Sequence, residues 1–424
     1  MSKRFSRIVP VLLATIAALL LIAATPSAPA AAQAPANLNG LWDAVIILNN
    51  NLQIPFRYEI SVKGNQAQGF FFEGDRRVAS SSGTLVRGEL KIQYDHLNTE
   101  LVAHMDSSTL VGEYHTIQSL ARPIPFRAKR FVPVAADSNP PNIAGDWLMS
   151  RLAAERTAPR DTRTWTLFLR QSGAEVSGSI LRVDGDTGTI SGHFNGGKLV
   201  LSHFAGERPT SVEVAPQPDG TLSVTLDGNA HYTAARSKDA ATKGITEPPD
   251  PSRYTSVQDP TQPLHFRGVT LDGQAATDAD PRYKGKVVIL TIGGSWCPNC
   301  HDEAPFMVEL YKKYHSKGLE ITELSFESSA DLAVARPRMQ SFIRRYAIPY
   351  QLILLGDTNQ FKEKLPQIVN FGAYPTTLYV GRDGLVRSVH AGFASEATGD
   401  EHVRLEREIT ALVERLLNEP APRG

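Results

Sequence analysis

The chain contains two cysteines, and both lie in a single tetrad, Cys297-Pro298-Asn299-Cys300. A thiolate is the nucleophile of thiol-disulfide exchange, and a second thiol three residues later can attack the mixed disulfide and release the partner. The spacing therefore predicts a redox-active disulfide, with Cys297 as the attacking thiol and Cys300 as the resolving thiol.

The tetrad stands between a predicted strand and a predicted helix. The apolar, β-branched run Lys286–Ile292 is typical of a buried strand, and the glycines at 293 and 294 turn the chain out of it. A helix is expected next, with Pro298 in its first turn, where a missing N–H costs nothing. The positive end of the helix dipole would then stabilise the thiolate of Cys297.

A cysteine pair can also form a structural disulfide, bind zinc or attach haem covalently. A structural disulfide is disfavoured, because closing so short a loop stabilises a fold by only about 2 kcal/mol. A structural zinc site needs four Cys or His ligands, and the chain has no second cysteine pair, so no metal is expected. Covalent haem stays open as an alternative, because Cys297 to His301 satisfies the attachment pattern C-x-x-C-H.

About the last 160 residues resemble the thioredoxin superfamily, and within it the TlpA/ResA-like thiol-disulfide oxidoreductases of bacterial envelopes. The matching residues are Trp296-Cys297-Pro298-Asn299-Cys300, Glu303 and Pro305 in a C-x-x-C-x-x-E-x-P pattern, and Tyr374-Pro375-Thr376-Thr377. The resemblance implies a thioredoxin-like α/β domain at the C-terminus and thiol-disulfide exchange as its activity.

The resemblance also implies how three residues bind substrate. Pro375 would follow a cis peptide bond and pack against the cysteines. The backbone of Tyr374 would pair with the strand of the substrate. Trp296 would either cover the thiols or serve as a packing residue.

Glu303 is the candidate for proton transfer, because on a helix it shares a face with Cys300, three residues earlier. The alternative is an exposed acid that complements the helix dipole. Thioredoxins themselves carry a buried Asp in the preceding strand, where this chain has Thr291. That departure favours Glu303 as the residue that takes the Cys300 proton.

The peroxiredoxin pattern P-x-x-x-T-x-x-C is absent from the same stretch. With Cys297 as its cysteine, the Pro and Thr positions hold Leu290 and Gly294. A peroxidatic cysteine is therefore not expected.

Downstream of the tetrad, strands and helices alternate before a hairpin and a last helix. This order predicts a sheet covered on both faces. The predicted elements are strands at 321–326 and 351–355, helices at 336–346 and 359–365, a hairpin of 376–380 with 386–390, and a helix with its apolar stripe at 405–416.

The residues before this part repeat internally. Asn39-Gly40-Leu41-Trp42 recurs as Ala144-Gly145-Asp146-Trp147, and Ser82-Gly83-Thr84-Leu85 recurs as Thr187-Gly188-Thr189-Ile190, both at an offset of 105. Alternating apolar residues between Gly, Asp and Asn turns indicate antiparallel sheets. The sequence predicts two tandem antiparallel all-β domains, either lipocalin-like or sandwich.

The first residues predict export. Lys3, Arg4 and Arg7 precede an apolar stretch from Ile8 to Ala24, and Ala30-Ala31-Ala32 offers a cleavage site. A cleaved signal peptide places the mature protein in the periplasm or cell envelope. A retained N-terminal membrane anchor is the alternative.

The expected domains are a signal peptide (1–32), two β domains (37–134 and 140–237), a Pro-rich linker (238–262) and a thioredoxin-like domain (263–418). Lys and Arg balance Asp and Glu at 44 each, which argues against nucleic acid as a partner. The expected partners are protein disulfides or dithiols and a membrane electron donor, and no cofactor is expected. The β domains are candidates for binding a partner or small ligand, or for a spacer or dimerisation module.

Together these features predict an exported thiol-disulfide oxidoreductase. The resemblance implies that it reduces disulfides of envelope proteins and serves cell redox homeostasis, since the motif alone does not encode the direction of electron flow. Two alternatives stay open. One is a c-type haem electron carrier that uses the same cysteines. The other is a ligand- or partner-binding protein dominated by its β domains.

Overall fold

The structure is a computed structural model that describes residues 37–117, 122–133, 137–158 and 162–420. These residues belong to one compact unit that begins at Asn37. The predicted signal peptide, 1–32, lies outside the described residues. The boundaries predicted between the β domains, the linker and the thioredoxin-like domain stay predictions.

The first part is an antiparallel sheet whose strands are β1 (Gly40–Ile47), β2 (Gln53–Lys63), β3 (Gln66–Glu73), β4 (Arg76–Ala79), β5 (Ser82–Val86), β6 (Glu89–Tyr94), β7 (Thr99–Asp106), β8 (Thr109–Thr116) and β9 (Ile124–Arg130). Its order is β2-β1-β9-β8-β7-β6-β5-β3-β4, and β2 also pairs with β3. Eight strands therefore close into a barrel, and β4 pairs with β3 outside the ring.

The second part repeats this topology with strands β10 (Gly145–Arg151), β11 (Trp165–Ser172), β12 (Glu175–Arg182), β13 (Gly185–Asp186), β14 (Ile190–Asn195), β15 (Lys198–His203), β16 (Thr210–Pro216), β17 (Leu222–Leu226) and β18 (Ala230–Arg236). Its order is β11-β10-β18-β17-β16-β15-β14-β12-β13, closed by β11 with β12. Two tandem all-β domains were expected, and both sheets close into barrels.

The sequence repeat has a structural counterpart where the first and last strands of each barrel meet. The Trp42 indole N–H donates to a carbonyl four residues earlier at 3.0 Å, and the Arg130 guanidinium stacks 4.2 Å from the Trp42 ring. Trp147 and Arg236 repeat both contacts, at 2.9 Å and 4.0 Å. Each Arg thus secures the last strand against the first by a cation–π contact.

The two barrels interlock through Phe204. This residue follows β15 of the second barrel, but it belongs to the apolar core of the first. Its ring lies 4.9 Å from that of Phe56 and 5.3 Å from that of Phe71. Beside it, the Tyr114 hydroxyl donates to the carbonyl of Gly206 at 2.8 Å. The core of the first barrel is therefore completed by a residue of the second.

The C-terminal part has strands β20 (Arg267–Thr270), β21 (Ala275–Thr277), β22 (Val287–Gly293), β23 (Leu319–Glu327), β24 (Gln351–Asp357), β26 (Thr376–Val380) and β27 (Val386–Ala391), and helices α2 (Pro298–Tyr314), α3 (Leu332–Tyr346), α4 (Phe361–Lys364) and α5 (Asp400–Leu417). The seven strands form one sheet in the order β21-β20-β24-β23-β22-β26-β27, in which β22, β23 and β24 run parallel.

Strand β22 lies in the middle of this sheet and is buried on both faces. Val287 and Ile289 share an apolar cluster with residues of α2, α3 and α5. Val288 and Leu290 belong to a second cluster, which includes Phe361 of α4. The predicted α/β sheet with cover on both faces is confirmed.

The Pro-rich segment predicted as a linker carries structure of its own. It contains helix α1 (Pro251–Tyr254) and strand β19 (Ser256–Val257), which pairs with β25 (Ile368–Val369). Thr255 is buried between them and donates to the carbonyl of Asn370 at 3.2 Å. The segment is thus folded against the C-terminal part.

Among the described residues, no helix has both the length and the apolar character that crossing a membrane requires.

We expect Phe204→Ala to lower the free energy of unfolding by about 3–5 kcal/mol, because it leaves a cavity in the core of the first barrel. Val200→Ala is the matched control, since Val200 lies on β15 and is 42% exposed. Denaturant unfolding followed by tryptophan fluorescence measures both changes. Equal, small losses in the two variants would contradict an energetic role for the interlock.

Candidate active site

The cysteine tetrad forms the N-terminus of α2, where the sequence placed it. Cys297 is the N-cap residue, and its sulfur accepts the backbone N–H of Cys300 at 3.3 Å. The Cys297 thiol itself donates to the carbonyl oxygen of Tyr374 at 3.3 Å. Both cysteines are buried free thiols. The first turn of α2 and the backbone at Tyr374 therefore meet at the Cys297 sulfur.

The residues that were expected to bind substrate lie together around this sulfur. The peptide bond between Tyr374 and Pro375 is cis, as the resemblance implied. The Trp296 indole N–H donates to the carbonyl of Phe326 at 2.8 Å, and its ring meets Tyr374 edge to face at 5.3 Å. Trp296 is still 41% exposed, so it packs against the site and also borders solvent.

Glu303 is buried beneath the dithiol. Its Oε1 accepts the hydroxyl of Thr377 at 2.7 Å, and burial raises its pKa to about 7. The alternative of an exposed acid at the helix start is wrong, because the side chain is only 4% exposed. A carboxyl group with this pKa can both take and return a proton near neutral pH.

Glu323 is a second buried acid at the site, and the sequence analysis missed it. It lies on β23 directly opposite Thr291 of β22, the position where thioredoxins carry their Asp. A Cβ added at Gly293 would lie 3.3 Å from the Cys300 sulfur and 3.5 Å from the Glu323 carboxylate. The thiol of Cys300 and the carboxyl group of Glu323 therefore both lie close to Gly293. Burial raises the pKa of Glu323 to about 8. The sequence did contain a signal for Glu323, because it is an acid within a predicted buried strand, where burying an ionisable side chain costs free energy.

The resolving thiol is held in its protonated form. Burial raises the pKa of Cys300 well above its usual value, and Cys297, Glu323 and Glu303 act in the same direction. Cys300 therefore needs a base when it attacks a mixed disulfide. Glu303 and Glu323 are the two carboxyl groups beside it whose pKa values suit that task.

His301, the last residue of the haem-attachment pattern, has both ring nitrogens engaged. Nε2 donates to the carbonyl of Ser295 at 2.9 Å, and Nδ1 accepts the hydroxyl of Tyr346 at 3.0 Å. Burial lowers the pKa of His301 to about 4, which keeps the imidazole neutral. In the described part of the chain, no group of three or more His, Cys, Asp or Glu residues is arranged to hold a metal ion.

The second barrel also reaches the dithiol helix, which no sequence signal indicated. The side-chain amide of Asn299, between the two cysteines, donates to the carbonyl of Asp184 at 2.6 Å. Arg208 donates to Asn299 Oδ1 at 2.8 Å and to Asp302 Oδ2 at 3.0 Å. Residues of a β domain thus contact the first turn of α2.

The part of the chain that carries this site is similar in sequence to known proteins. Residues 263–389 match the model of the AhpC/TSA family. Over 103 residues the chain is 35% identical to thiol-disulfide oxidoreductase ResA of Bacillus thuringiensis (strain Al Hakam), which covers 24% of this chain and 53% of the relative. The C-terminal part is therefore similar to the TlpA/ResA-like thiol-disulfide oxidoreductases of the thioredoxin superfamily. The chain spans about half the length of the ResA proteins that it matches.

A second curated relative covers more of the TlpA/ResA-like part. The thioredoxin-like protein YneN of Bacillus subtilis (strain 168) is 25% identical over 154 residues, which is 36% of this chain and 84% of YneN. The peroxidatic pattern is absent from the part that matches AhpC/TSA, because Leu290 and Gly294 occupy its Pro and Thr positions.

Solved structures are similar to the same part. A thiol:disulfide interchange protein from Chlorobium tepidum TLS is 22% identical and covers 37% of this chain and 98% of its own, with a TM-score of 0.28. A secreted thiol-disulfide isomerase from Corynebacterium glutamicum is 16% identical and covers 41% and 97%, with a TM-score of 0.31.

We expect Glu323→Gln to change how stability depends on pH. Because the folded state raises the pKa of Glu323 from 4.5 to about 8, it holds a proton that the unfolded chain releases between these values. This group's contribution to the free energy of unfolding therefore falls as pH rises through that window. Relative to wild type, Glu323→Gln should gain on the order of 4 kcal/mol between about pH 5 and pH 9.

Denaturant unfolding across this pH range measures the effect. Glu309→Gln is the control, because Glu309 is an exposed acid on α2. A parallel pH dependence in all three proteins would contradict the burial cost assigned to Glu323.

Proposed function

We propose that this protein is an exported thiol-disulfide oxidoreductase that reduces disulfides of cell-envelope proteins through Cys297 and Cys300. The observation that carries the proposal is the pairing of a thiol at a helix N-terminus with a buried resolving thiol and two buried acids. Thiol-disulfide oxidoreductases named ResA are relatives of the same part. The export pattern at residues 1–32 supports an envelope location.

The reaction proceeds in two exchanges. The Cys297 thiolate attacks one sulfur of the substrate disulfide, so that a Cys297–substrate bond forms and the other substrate sulfur leaves as a thiolate. Glu303 or Glu323 then takes the proton of Cys300, whose sulfur attacks that of Cys297 and releases the second substrate thiolate. The substrate gains two electrons, and the protein is left with a Cys297–Cys300 disulfide.

A donor of two electrons must restore the dithiol after each turnover. A membrane-bound dithiol donor is the partner that fits an envelope protein of this kind. Its own thiolate would attack the Cys297–Cys300 disulfide, and the same two exchanges would run in reverse.

The proposed substrate surface is the flank of the dithiol at Trp296 and Tyr374. On the opposite flank, Asn299 is covered by Asp184 of the second barrel. Beside Trp296 a cleft of about 250 Å³ opens between the three parts of the chain, bordered by His96, Glu207 and Arg338. A substrate strand would pair with the backbone before Pro375 and reach Cys297 from this side.

Two observations weigh against the alternatives. A haem iron would need a free nitrogen of His301, and both nitrogens bond to protein atoms in the interior. A ligand within the first barrel would compete for apolar space with Phe204. The reductase therefore accounts for more of the observed contacts than either alternative.

We expect a Cys300→Ser variant to accumulate a mixed disulfide with a substrate protein that carries a disulfide bond, because the resolving thiol is gone. Cys297→Ser should trap no mixed disulfide.

Wild-type protein equilibrated in thiol buffers should show a two-electron couple with a midpoint potential near or below about −250 mV, on the thioredoxin side. Non-reducing gels and alkylation mass shifts measure these outcomes.

Other results would redirect the proposal. A potential near about −120 mV would indicate an oxidant of folding substrates. A Soret band with thioether mass on the cysteines would establish the haem carrier. Full biological function of the double variant Cys297→Ser, Cys300→Ser would establish the binding protein.

We expect Glu303→Gln to slow resolution of the mixed disulfide at least about tenfold above pH 7, because a general base is lost. In wild type the rate should rise through about pH 7, where Glu303 ionises. Stopped-flow release of substrate thiol measures the profile, with Glu309→Gln as control. An unchanged profile, with slower resolution in Glu323→Gln, would assign the proton transfer to Glu323 instead.

A further inference from the structure

Arg208 connects the second barrel to the dithiol helix. Its Nη1 donates to Asn299 Oδ1 at 2.8 Å, to Asp302 Oδ2 at 3.0 Å and to the carbonyl of Asp186 at 3.2 Å. The side chains of Arg208 and Asp302 are each only 14% exposed. A charge-assisted contact this far from solvent is weakly screened, unlike an ion pair on the surface.

A second contact fixes the same barrel on the other side of the site. The Asp186 carboxylate accepts the backbone N–H of Ser395 at 2.6 Å and its hydroxyl at 2.9 Å. Gly185, with φ +115°, lies against the Asn299 side chain, and a Cβ there would overlap it. Gly392 lies against the backbone of 183–185 in the same way. Arg208 is therefore held by a docked surface with little room to move.

The acids around Arg208 determine the charge states of the two contacting side chains, Arg208 and Asp302. Asp302, Glu207, Asp186 and Glu73 all raise its pKa, so the guanidinium stays positive. Burial raises the pKa of Asp302 to about 6, against the opposing effect of Arg208, so this acid is ionised above neutral pH. Arg208 is thus the positive group among these acids, and Asp302 is the acid of the dithiol helix that it contacts.

We infer that Arg208 is a positioning residue of the dithiol site: by holding Asn299 and balancing Asp302, it stabilises the thiolate form of Cys297 and so the reduced protein. The inference rests on the proposed function. It assigns the second barrel a part in setting the redox properties of the thioredoxin-like site. Removing the guanidinium leaves an unbalanced carboxylate at the helix N-terminus, which disfavours a neighbouring thiolate.

The test compares two variants of the full-length mature protein, one that removes a positive charge and one that removes a negative charge. Arg208→Gln should shift the equilibrium with a thiol buffer about tenfold toward the disulfide, which for a two-electron couple is about 30 mV. It should also slow alkylation of Cys297 by iodoacetamide at about pH 8. Asp302→Asn should move both quantities in the opposite direction.

Arg236→Gln is the control for damage to the second barrel. Arg236 stacks on Trp147 and closes that barrel without touching the dithiol helix, so its variant should lose stability and keep the wild-type potential. If Arg208→Gln does not fold, Arg208→Lys keeps the positive charge and changes the geometry of the hydrogen bonds, and Asp302→Asn still tests the direction of the effect.

Unchanged potentials and alkylation rates in folded Arg208→Gln and Asp302→Asn would overturn the inference. Shifts of the same sign in both variants would also overturn it, since that pattern reports a loosened barrel. A wild-type protein without a two-electron couple would instead reject the proposed function, and the alkylation rates would still test Arg208.

Discussion

Burial of ionisable groups under the first turn of α2 is the constraint on which the site depends. Cys300, Glu303 and Glu323 all lie in the interior, and burial is the first cause of each raised pKa. A low-dielectric surrounding penalises every negative charge, so each of these groups keeps its proton to a higher pH than it would in water. Thr291 and Thr377 lie in register beside these acids, and the Thr377 hydroxyl binds Glu303.

The sheet supplies this arrangement because its central strands are covered on both faces. Strand β22 pairs in parallel with β23, which sets Glu323 opposite Thr291. On its other edge β22 pairs with β26, which sets Thr377 opposite the same residue. One row across three strands therefore delivers the polar groups to the underside of the dithiol, while the apolar residues of the same strands form the core.

The second barrel is joined to this site by polar contacts that are largely shielded from water. Buried donors and acceptors must find partners within the protein, and Asn299 finds them in Asp184 and Arg208. The barrels are joined to each other by an apolar contact, the insertion of Phe204 into the first core. The three parts of the chain form one unit by these two kinds of contact.

The local elements were largely predictable because their signals are short-range. The strand before the tetrad, the helix after it and the last hairpin each carry their own pattern of apolar residues and turn residues. Helix α3 shows the limit of such signals. A proline in the first turn placed its start at residue 336, but it begins at Leu332, because Asp331 caps it by accepting the N–H of Ala333 at 2.8 Å.

The sequence by itself determined the dithiol, its place at a helix N-terminus and the repeat of the β domains, since these depend on residue spacing. Only the tertiary structure decided that Glu323 lies beside Cys300 and that Arg208 holds Asn299. Those neighbours come from strand register and from the docking of a distant barrel. Pairings of that kind join residues far apart in the chain, and no local pattern of residues encodes them.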